Sequence, residues 1–273
     1  MWEMRHRTVA FVPTMGALHE GHLSLVRLAR EKAERVVASI FVNPTQFNNL
    51  DDLARYPRTP EKDAEMLAAA GCDLLFLPAV EEIYPPGSVT RVEVSGPPVE
   101  GLEGTFRPGH FSGVATVVTI LFHQVRPDFA VFGEKDAQQL ALVRRLVADL
   151  GFPIEIVPGP TLREADGLAM SSRNVHLSPD ERKAATVLYR ALSAAKAAID
   201  TGERRGDEVR RLLRSVLATE PLAEVEYAEA VDAHTFQPLA TLSGSVVLPL
   251  AVKIGHTRLI DNFHLEIPTP TLA

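Results

Sequence analysis

Cysteine is nearly absent from this chain of 273 residues, in which Cys72 stands alone. A single thiol excludes an internal disulfide and a zinc cluster built from thiolates, and it favours a reducing, cytoplasmic location. Long apolar runs are missing as well. Since the first residues are charged and lack an apolar core, we expect neither a secretory signal nor a membrane span.

An excess of positive charge is also missing, because the formal net charge is −7. A nucleic-acid partner would need clustered basic residues that face phosphates, so we expect neither nucleic acid nor membrane among the partners. The apolar fraction of 46% and the charged fraction of 23% are those of an ordinary globular protein. The length is sufficient for one large or two modest domains.

Strand-like and helix-like segments alternate over residues 1–160. Apolar β-branched runs predict strands, and a helical spacing of apolar residues begins at His22 and recurs later. The strands are predicted at 7–13, 36–42, 73–77, 127–132 and 154–157, and further helices at 60–70, 112–124 and 136–150. This alternation predicts an α/β domain, a Rossmann-like doubly wound parallel sheet with right-handed crossovers.

The pattern changes over residues 161–273. Ser178, Pro179 and Glu181 have the spacing of a capping box with proline at the first helical position, and we expect that helix to run to about Gly202. A second helix is predicted at 208–218, followed by strands at 225–233, 245–254 and 257–267. Helices followed by consecutive strands predict a smaller α+β domain with antiparallel strands.

The most specific motif is the segment 13–22, PTMGALHEGH, between the first strand and the first helix. The carboxyl end of a parallel strand and the N-terminus of the next helix offer N–H donors to a phosphate. His19 and His22 would add two more donors, and Gly16 and Gly21 would allow close approach. The two histidines could instead cap a surface turn. A zinc site is disfavoured, because HEGH lacks the spacing of the HExxH signature.

A second motif, FGEKD at 132–136, begins at the last residue of the strand predicted at 127–132. Lys135 would place a charge over phosphates and Asp136 could accept from a ribose hydroxyl, although Asp136 could equally cap an ordinary helix. A third motif, MSSRN at 170–174, offers two hydroxyls and a guanidinium to a triphosphate, or forms a solvated linker. All three motifs fit one architecture, which favours nucleotide binding.

Loops rich in turn formers carry further candidates. Gln46 and Gln139 are predicted to bind a substrate, because an amide can donate to a carboxylate and accept from a hydroxyl. We expect Arg58 and Arg107 at the surface. We expect Arg107 and His110 to have structural roles.

The strings PTMGALHEGH, SIFVNPTQF, ARYPRT, RPGHFSGVATVV, FGEKDAQQL and MSSRN occur in the order that is found in pantothenate synthetases. From about Val9 to His176 the chain closely resembles that family. Behind the family stands the HxGH-type nucleotidylyl transferase superfamily, which resembles class I aminoacyl-tRNA synthetases. Serines and Arg173 replace the lysines of the superfamily's mobile loop, as they do in this family. The helix that precedes the first strand in relatives is expected to be shortened.

The resemblance implies ATP-dependent condensation of (R)-pantoate with β-alanine to pantothenate, through a pantoyl adenylate, with release of AMP and pyrophosphate. It implies ATP and Mg²⁺ as cosubstrate and cofactor, a cytoplasmic homodimer, and a C-terminal lid domain. The residues that it assigns to ATP are Met15, Gly16, Ala17, Leu18, His19, Glu20, Gly21, His22, Gly133, Glu134, Lys135, Asp136, Leu162, Met170, Ser171, Ser172 and Arg173.

The resemblance further assigns catalysis to His22, His19, Lys135 and Arg173. It assigns pantoate to Gln46 and Gln139, with Gln46 also near β-alanine. No set of protein ligands for Mg²⁺ stands out, so we expect the ATP phosphates to hold the ion, with Asp63 and Asp136 as possible helpers.

Three other functions remain open from the sequence. A nucleotidyltransferase with the same motif would release a dinucleotide rather than AMP. A tRNA synthetase is disfavoured by the acidic charge and the short second domain. A module that binds ATP without catalysis would show no turnover with both substrates.

Overall fold

The computed structural model describes residues 7–48 and 50–268. The chain forms two compact units. The first comprises residues up to Ser95, Glu103–Glu134 and Leu142–Leu162, and the second comprises Gly96–Leu102, Lys135–Ala141 and the chain from Arg163 onward. The expectation of a shortened leading helix falls mainly on residues 1–6, outside the described residues. Within the described part of the chain, no helix is long and apolar enough to cross a membrane.

A parallel sheet of five strands forms the centre of the first unit. Its strands are β1 (Val9–Thr14), β2 (Arg35–Ile40), β3 (Leu74–Phe76), β4 (Phe129–Gly133) and β5 (Glu155–Gly159), in the order β3-β2-β1-β4-β5. The strand order reverses between β1 and β4, which are neighbours, so this is the topological switch point of the sheet. The predicted doubly wound sheet is confirmed.

The described residues of this part of the sequence also form seven helices. They are α1 (Glu20–Lys32), α2 (Leu50–Arg55), α3 (Pro60–Ala69), α4 (Val80–Ile83), α5 (Glu103–Phe106), α6 (His110–Val125) and α7 (Ala137–Leu150). α1 buries Leu23, Val26 and Ala29, and Val26 and Ala29 pack in one apolar cluster with residues of the sheet. α6 is apolar along most of its length and is buried accordingly. α7 belongs to the second unit as far as Ala141.

The second unit contains α8 (Pro179–Ala184), α9 (Val187–Asp200) and α10 (Gly206–Leu217), followed by β6 (Ala223–Ala228), β7 (Val231–Asp232), β8 (Gly244–Ile254) and β9 (Thr257–Ile267). β8 pairs antiparallel with β6, β7 and β9. This confirms the antiparallel strands that the sequence predicted. The predicted strand at 225–233 is interrupted, because Glu229 and Ala230 separate β6 from β7.

The prediction of one helix from Ser178 to about Gly202 is wrong. The capping box is present, with the Ser178 hydroxyl accepting from the backbone N–H of Glu181 and the Glu181 carboxylate accepting from that of Ser178. The helix ends at Ala184 because the next residues form tighter turns. The Thr186 hydroxyl donates to the carbonyl of Lys183 at 2.8 Å, a local bond that competes with helical hydrogen bonding.

The antiparallel sheet has an apolar layer on each face. On one face, side chains of α9 and α10 pack against Leu248, Leu250 and Val252 of β8. Another apolar cluster joins Val247 of β8 to Ala137, from the start of α7. Because successive side chains of a strand leave on opposite faces, Val247 and Leu248 mark the two sides of this sheet.

Candidate active site

Two of the predicted motifs begin at the switch point of the parallel sheet. β1 ends at Thr14 and is followed by the loop that leads to His19 and α1. Its neighbour β4 ends at Gly133 and is followed by the 3₁₀ turn Glu134–Asp136. In open parallel sheets, ligands bind at the carboxyl ends of the strands at the point where the order reverses. The sheet therefore brings the starts of both motifs to the position that favours a ligand.

The loop after β1 is shaped by Asp63 of α3. Its two carboxylate oxygens accept the backbone N–H groups of Ala17 and Leu18, each at 2.9 Å, and the hydroxyl of Thr59 at 3.1 Å. Asp63 is only 1% exposed. Buried carboxylates need such donors, since burying an unpaired charge is costly. These bonds engage both oxygens of the Asp63 carboxylate in the loop, and its role as a helper for Mg²⁺ stays a prediction.

His19 and His22 form a capping box at the start of α1. The Nδ1 atom of His19 accepts the backbone N–H of Gly21 at 3.1 Å, and the Nδ1 atom of His22 accepts that of His19 at 3.4 Å. The ring centroids lie 4.1 Å apart. Because Nδ1 of each ring accepts, the proton of the neutral ring is on Nε2, which is then a donor. The capping interpretation is confirmed, and it fixes the tautomer that a phosphate-binding histidine requires.

The 3₁₀ turn Pro44–Gln46 brings Gln46 to the loop after β1. Its Nε2 atom donates to the sulfur of Met15 at 2.9 Å, and its Oε1 atom accepts from Asn43 at 3.1 Å. Gln46 is 7% exposed. A residue predicted to bind pantoate therefore contacts a residue predicted to bind ATP.

A buried polar network around Asn43 holds this turn. The Asn43 side chain donates to the carbonyl of Gly113 at 3.1 Å, and it accepts from the Tyr84 hydroxyl at 2.9 Å. Burial raises the pKa of Tyr84, although its bonds to Thr45 and Asn43 act in the opposite direction, so the hydroxyl remains a donor at neutral pH. Sequence reasoning assigned no role to Asn43 or Tyr84. The one local signal was the turn sequence that surrounds Asn43.

The backbone carbonyl of Gln46 is held by two further side chains. Arg107 donates to it at 3.2 Å, and Nδ1 of His110 lies 3.0 Å from the same oxygen. Arg107 also forms an ion pair with Glu103 at 3.5 Å. The structural roles predicted for Arg107 and His110 are confirmed. The surface position predicted for Arg107 is wrong, since 19% of its side chain is exposed, whereas Arg58 is exposed as expected.

The end of β4 lies beneath α1. Gly133 pairs with Gly159 of β5, and a Cβ atom at Gly133 would lie 3.8 Å from Leu25 of α1. A Cβ atom at Gly159 would overlap Leu25. The absence of a side chain at Gly159 therefore allows Leu25 of α1 to pack over the end of β5, whereas a Cβ atom at Gly133 would make only an ordinary contact. Leu162, three residues beyond β5, is half-buried.

Lys135, Asp136 and Gln139 belong to the second unit. Lys135 and Gln139 are half-buried and Asp136 is exposed. The neighbouring Gln138 is buried and donates to the carbonyls of Pro98 at 2.8 Å and Gly101 at 3.4 Å. Gln138 is therefore buried and bound to the backbone, whereas Gln139 is only half-buried. The structural role of Gln138 was not apparent from the sequence.

The segment Met170–Arg173 leads into a 3₁₀ turn. It does not form the solvated linker that the sequence also allowed. The Ser171 hydroxyl accepts the backbone N–H of Arg173 at 3.2 Å and caps the 3₁₀ turn Ser172–His176. Asn174 donates to Glu164 and to the carbonyl of Ala169, both at 3.1 Å.

Each unit carries polar side chains of the types that bind anions. They are His19, His22 and Gln46 in the first unit, and Lys135, Gln139, Ser171, Ser172 and Arg173 in the second. In residues 7–48 and 50–268, no group of three or more His, Cys, Asp and Glu side chains is arranged to hold a metal ion.

Comparison with known protein families assigns residues 1–264 to the pattern of pantoate-β-alanine ligase. The chain belongs to the pantoate-β-alanine ligase family. Membership confirms the predicted family and identifies the chain as an enzyme, a ligase. The pantothenate synthetase of Heliobacterium modesticaldum is 54% identical over 261 residues, which are 96% of this chain and 92% of that protein. That of Carboxydothermus hydrogenoformans is 51% identical with the same coverage.

Solved structures of pantoate-β-alanine ligases share the fold. Pantothenate synthetase from Thermus thermophilus matches with a TM-score of 0.92 at 51% identity, over 96% of this chain and 94% of that one. Pantoate-β-alanine ligase from Francisella tularensis, complexed with β-γ ATP and β-alanine, matches with a TM-score of 0.77 at 37% identity, over 95% and 90%.

Proposed function

We propose that this ligase condenses (R)-pantoate with β-alanine to pantothenate, using ATP and passing through a pantoyl adenylate. The observation that carries the proposal is the arrangement of His19, His22, Met15 and Gln46 at the switch point of the sheet. Gln46 contacts Met15, in the loop that leads to His19 and His22, and this contact supports a phosphate site and a site for a second substrate on adjacent loops. The family supports the choice of substrates, since the relative from Francisella tularensis was solved in complex with β-γ ATP and β-alanine.

The proposed chemistry has two steps. A carboxylate is a poor electrophile, so a pantoate oxygen first attacks the α-phosphorus of ATP, and the bond from that phosphorus to the bridging oxygen of pyrophosphate breaks. The amine of β-alanine then attacks the acyl carbon of the mixed anhydride, loses a proton and expels AMP. Such reactions depend mainly on positioning and on stabilising charge in the transition state, which this protein's donors supply.

The catalytic groups in this proposal are His19, His22, Lys135 and Arg173. The Nε2 donors of the two histidines and the N-terminus of α1 would bind phosphate oxygens. Lys135 and Arg173 would offset the charge that moves to the leaving pyrophosphate. We retain the ATP-binding assignment for Met15, Gly16, Ala17, Leu18, Glu20, Gly21, Gly133, Glu134, Asp136, Leu162, Met170, Ser171 and Ser172.

Pantoate is assigned to Gln46 and Gln139. In the structure, the Nε2 atom of Gln46 donates to the sulfur of Met15, which is a weak acceptor. An oxygen of pantoate is a stronger acceptor than this sulfur. Replacing the sulfur by the pantoate oxygen as the partner of Gln46 therefore favours binding. We infer that Mg²⁺ is held largely by the ATP phosphates, with Asp63 and Asp136 as helpers.

The proposal is tested by incubating the purified chain with ATP, Mg²⁺ and D-pantoate, with and without β-alanine, and by following the products by mass spectrometry. Pyrophosphate and an acyl adenylate are expected with pantoate alone, and AMP and pantothenate after β-alanine is added. A dinucleotide product would favour a nucleotidyltransferase instead. Intact ATP under both conditions would favour a module that only binds ATP.

We also propose that the chain is a cytoplasmic homodimer, in which residues 1–160 form the domain that binds ATP and pantoate and residues 161–273 form a smaller lid domain. Light scattering coupled to gel filtration measures the mass in solution, for which a value twice that of the 29.8 kDa chain is expected. A monomeric mass at micromolar concentration would contradict the dimer. Fractionation of the source cells tests the location.

A further inference from the structure

We propose that Asp261 and Asn262, consecutive residues of β9, are positioning residues that hold the two segments carrying Lys135 and Arg173. The inference rests on the proposed function for the roles of Lys135 and Arg173. The contacts of the two β9 residues are observed in the structure. Neither residue belongs to a motif that the sequence singled out.

Asn262 holds the 3₁₀ turn that carries Lys135. Its Nδ2 atom donates to the backbone carbonyl of Lys135 at 2.8 Å, across 127 positions of sequence. Asn262 is 4% exposed, so water is largely excluded from its surroundings. The bond fixes the backbone from which the lysine side chain extends. Asn262 thereby sets where the ammonium group can reach.

Asp261 holds Arg163 with two parallel hydrogen bonds. The guanidinium donates to the two carboxylate oxygens at 2.7 and 2.9 Å, and also to the carbonyls of Gly167 and Asn262 at 3.0 and 3.2 Å. It lies over the ring of Tyr189 at 5.1 Å and that of Phe263 at 5.0 Å. Bidentate pairing and ring stacking together fix both the position and the plane of the guanidinium.

The fixed position of Arg163 also determines the position of Met170. Arg163 and Ala169 form an antiparallel bridge, and the backbone N–H of Glu164 donates to the carbonyl of Leu168 at 2.8 Å. Residues 163–169 are therefore a tight hairpin whose last residue precedes Met170 directly. The Arg163–Asp261 pair fixes the base of this hairpin. It therefore fixes the start of the segment that leads to Arg173.

Asp261 and Asn262 lie on opposite faces of the antiparallel sheet. Asp261 pairs with Leu250, which packs against the helices α9 and α10, whereas Asn262 pairs with Pro249. Pro249 shares its face with Val247, which belongs to the same apolar cluster as Ala137 at the start of α7. Adjacent positions on a strand are the shortest route by which one element can reach both faces. A slip of one residue in register would exchange the two faces and break both anchors.

The test for Asn262 is a double-mutant cycle with Lys135. We would compare Asn262→Ala, Lys135→Ala and the double variant by pantoate-dependent exchange of pyrophosphate into ATP. Asn262→Ala alone is expected to lower kcat for exchange by about tenfold to a hundredfold, the scale of a small misplacement of a catalytic group. In the Lys135→Ala background it should lower kcat by less than about twofold, because the group that it positions is already absent.

The matching cycle for Asp261 uses Asp261→Asn and Arg173→Ala. The asparagine keeps the shape of the side chain and one acceptor, but it removes the charge and the second strong acceptor. A loss of exchange in Asp261→Asn that disappears in the Arg173→Ala background is expected. Equal losses in both backgrounds would overturn the role of Asp261.

Leu259→Ala provides the structural control on the same strand. Leu259 is a buried core residue of β9, so its truncation lowers stability without removing either anchor. Its exchange rate per folded molecule should equal that of the wild-type chain. If Asn262→Ala behaves like Leu259→Ala, with a lower Tm and an unchanged rate, Asn262 is merely structural and the proposal fails.

Failure of the proposed function gives a different result. If the wild-type chain catalyses no exchange, the same two cycles are measured as Kd values for ATP and AMP by calorimetry. Loss of ATP affinity that is coupled between Asn262 and Lys135 would support positioning without ligase activity. Unchanged affinity for ATP in Asn262→Ala would overturn it.

Discussion

Gly113 of α6 lies against the backbone of Thr45, so closely that a Cβ atom at position 113 would be 2.6 Å from the Thr45 carbonyl oxygen. The same Cβ atom would be 3.0 Å from the Cα atom of Gln46. The glycine carbonyl accepts from Asn43 at 3.1 Å, so the contact is both a steric fit and a hydrogen bond. The position of Gln46 thus depends on the absence of a side chain on a neighbouring helix.

Gly113→Ala is expected to displace the turn Pro44–Gln46, because backbone atoms cannot yield as a side chain can. We expect kcat/KM for pantoate to fall by about tenfold to a hundredfold, the scale of a displacement near 1 Å. Steady-state kinetics measure this effect. Ser112→Ala, one position earlier on α6, is the matched control and should retain normal kinetics. Equal kinetics in both variants would show that the turn does not place pantoate.

His22 combines two roles that substitutions can separate. In His22→Asn, the amide oxygen can take the place of Nδ1 and keep the cap, but no donor remains at the Nε2 position. Adenylation should fall by about a hundredfold while Tm stays near normal. In His22→Gln, the amide nitrogen can approximate Nε2, so part of the rate should return at a lower Tm. Normal turnover in His22→Asn would contradict the catalytic role.

Gly167 is expected to be much less tolerant of alanine than Gly202. Both residues have positive φ, +91° and +110°, so each substitution should cost about 1 kcal/mol of unfolding free energy from the backbone. A Cβ atom at Gly167 would also overlap the ring of Tyr189, whereas one at Gly202 would have no atom of the described residues within 4 Å. The overlap should cost a further ~1–3 kcal/mol. Urea denaturation of the two variants measures the difference, and equal losses would refute it.

Asp166 should make the stability of the second unit depend on pH only in acid. Hydrogen bonds from Arg182, chiefly, lower the pKa of Asp166 from its ordinary 3.8. A carboxyl whose pKa is lower in the folded chain stabilises it fully above 3.8, and that contribution disappears as pH falls through the folded value. Because the side chain is 44% exposed, the contribution at neutral pH should be about 0.5 kcal/mol.

The measurement for Asp166 compares unfolding free energies of the wild-type chain and Asp166→Asn between about pH 7 and pH 3, the range that brackets the ordinary pKa of Asp. The difference should be constant in the upper part of this range and should narrow only below 3.8. Asp180→Asn is a control, since its ion pair with Lys183 is 3.6 Å long and highly exposed. A difference that shrinks near neutral pH would indicate that another group is responsible.

Features that depend on neighbouring residues could be predicted from the sequence. The apolar runs gave the five parallel strands within a few residues, and the spacing of Ser178 and Glu181 gave the correct helix start. The histidine motif was located between β1 and α1, because its turn and cap involve residues three apart. Such signals are local, and local interactions are encoded by residue type and spacing.

Features that join distant segments could not be predicted. The bond from Asn262 to Lys135 spans 127 positions and the pair of Arg163 with Asp261 spans 98. Composition and periodicity give no sign of such pairs, so Asp261 and Asn262 were predicted only as strand residues. The end of α8 was missed for a different reason, because the Thr186 hydroxyl forms a local bond that helix propensity does not describe.

The carboxylate of Asp63 has a consequence for anyone who transplants or searches for this motif. The bend at Ala17 and Leu18 is held by an acceptor that lies 45 and 46 positions away on another helix. A scaffold that received only PTMGALHEGH would have two backbone donors with no carboxylate to bind, and its loop would be free to adopt other conformations. A useful search pattern is therefore bipartite, with the ten-residue string followed, at that distance, by an aspartate.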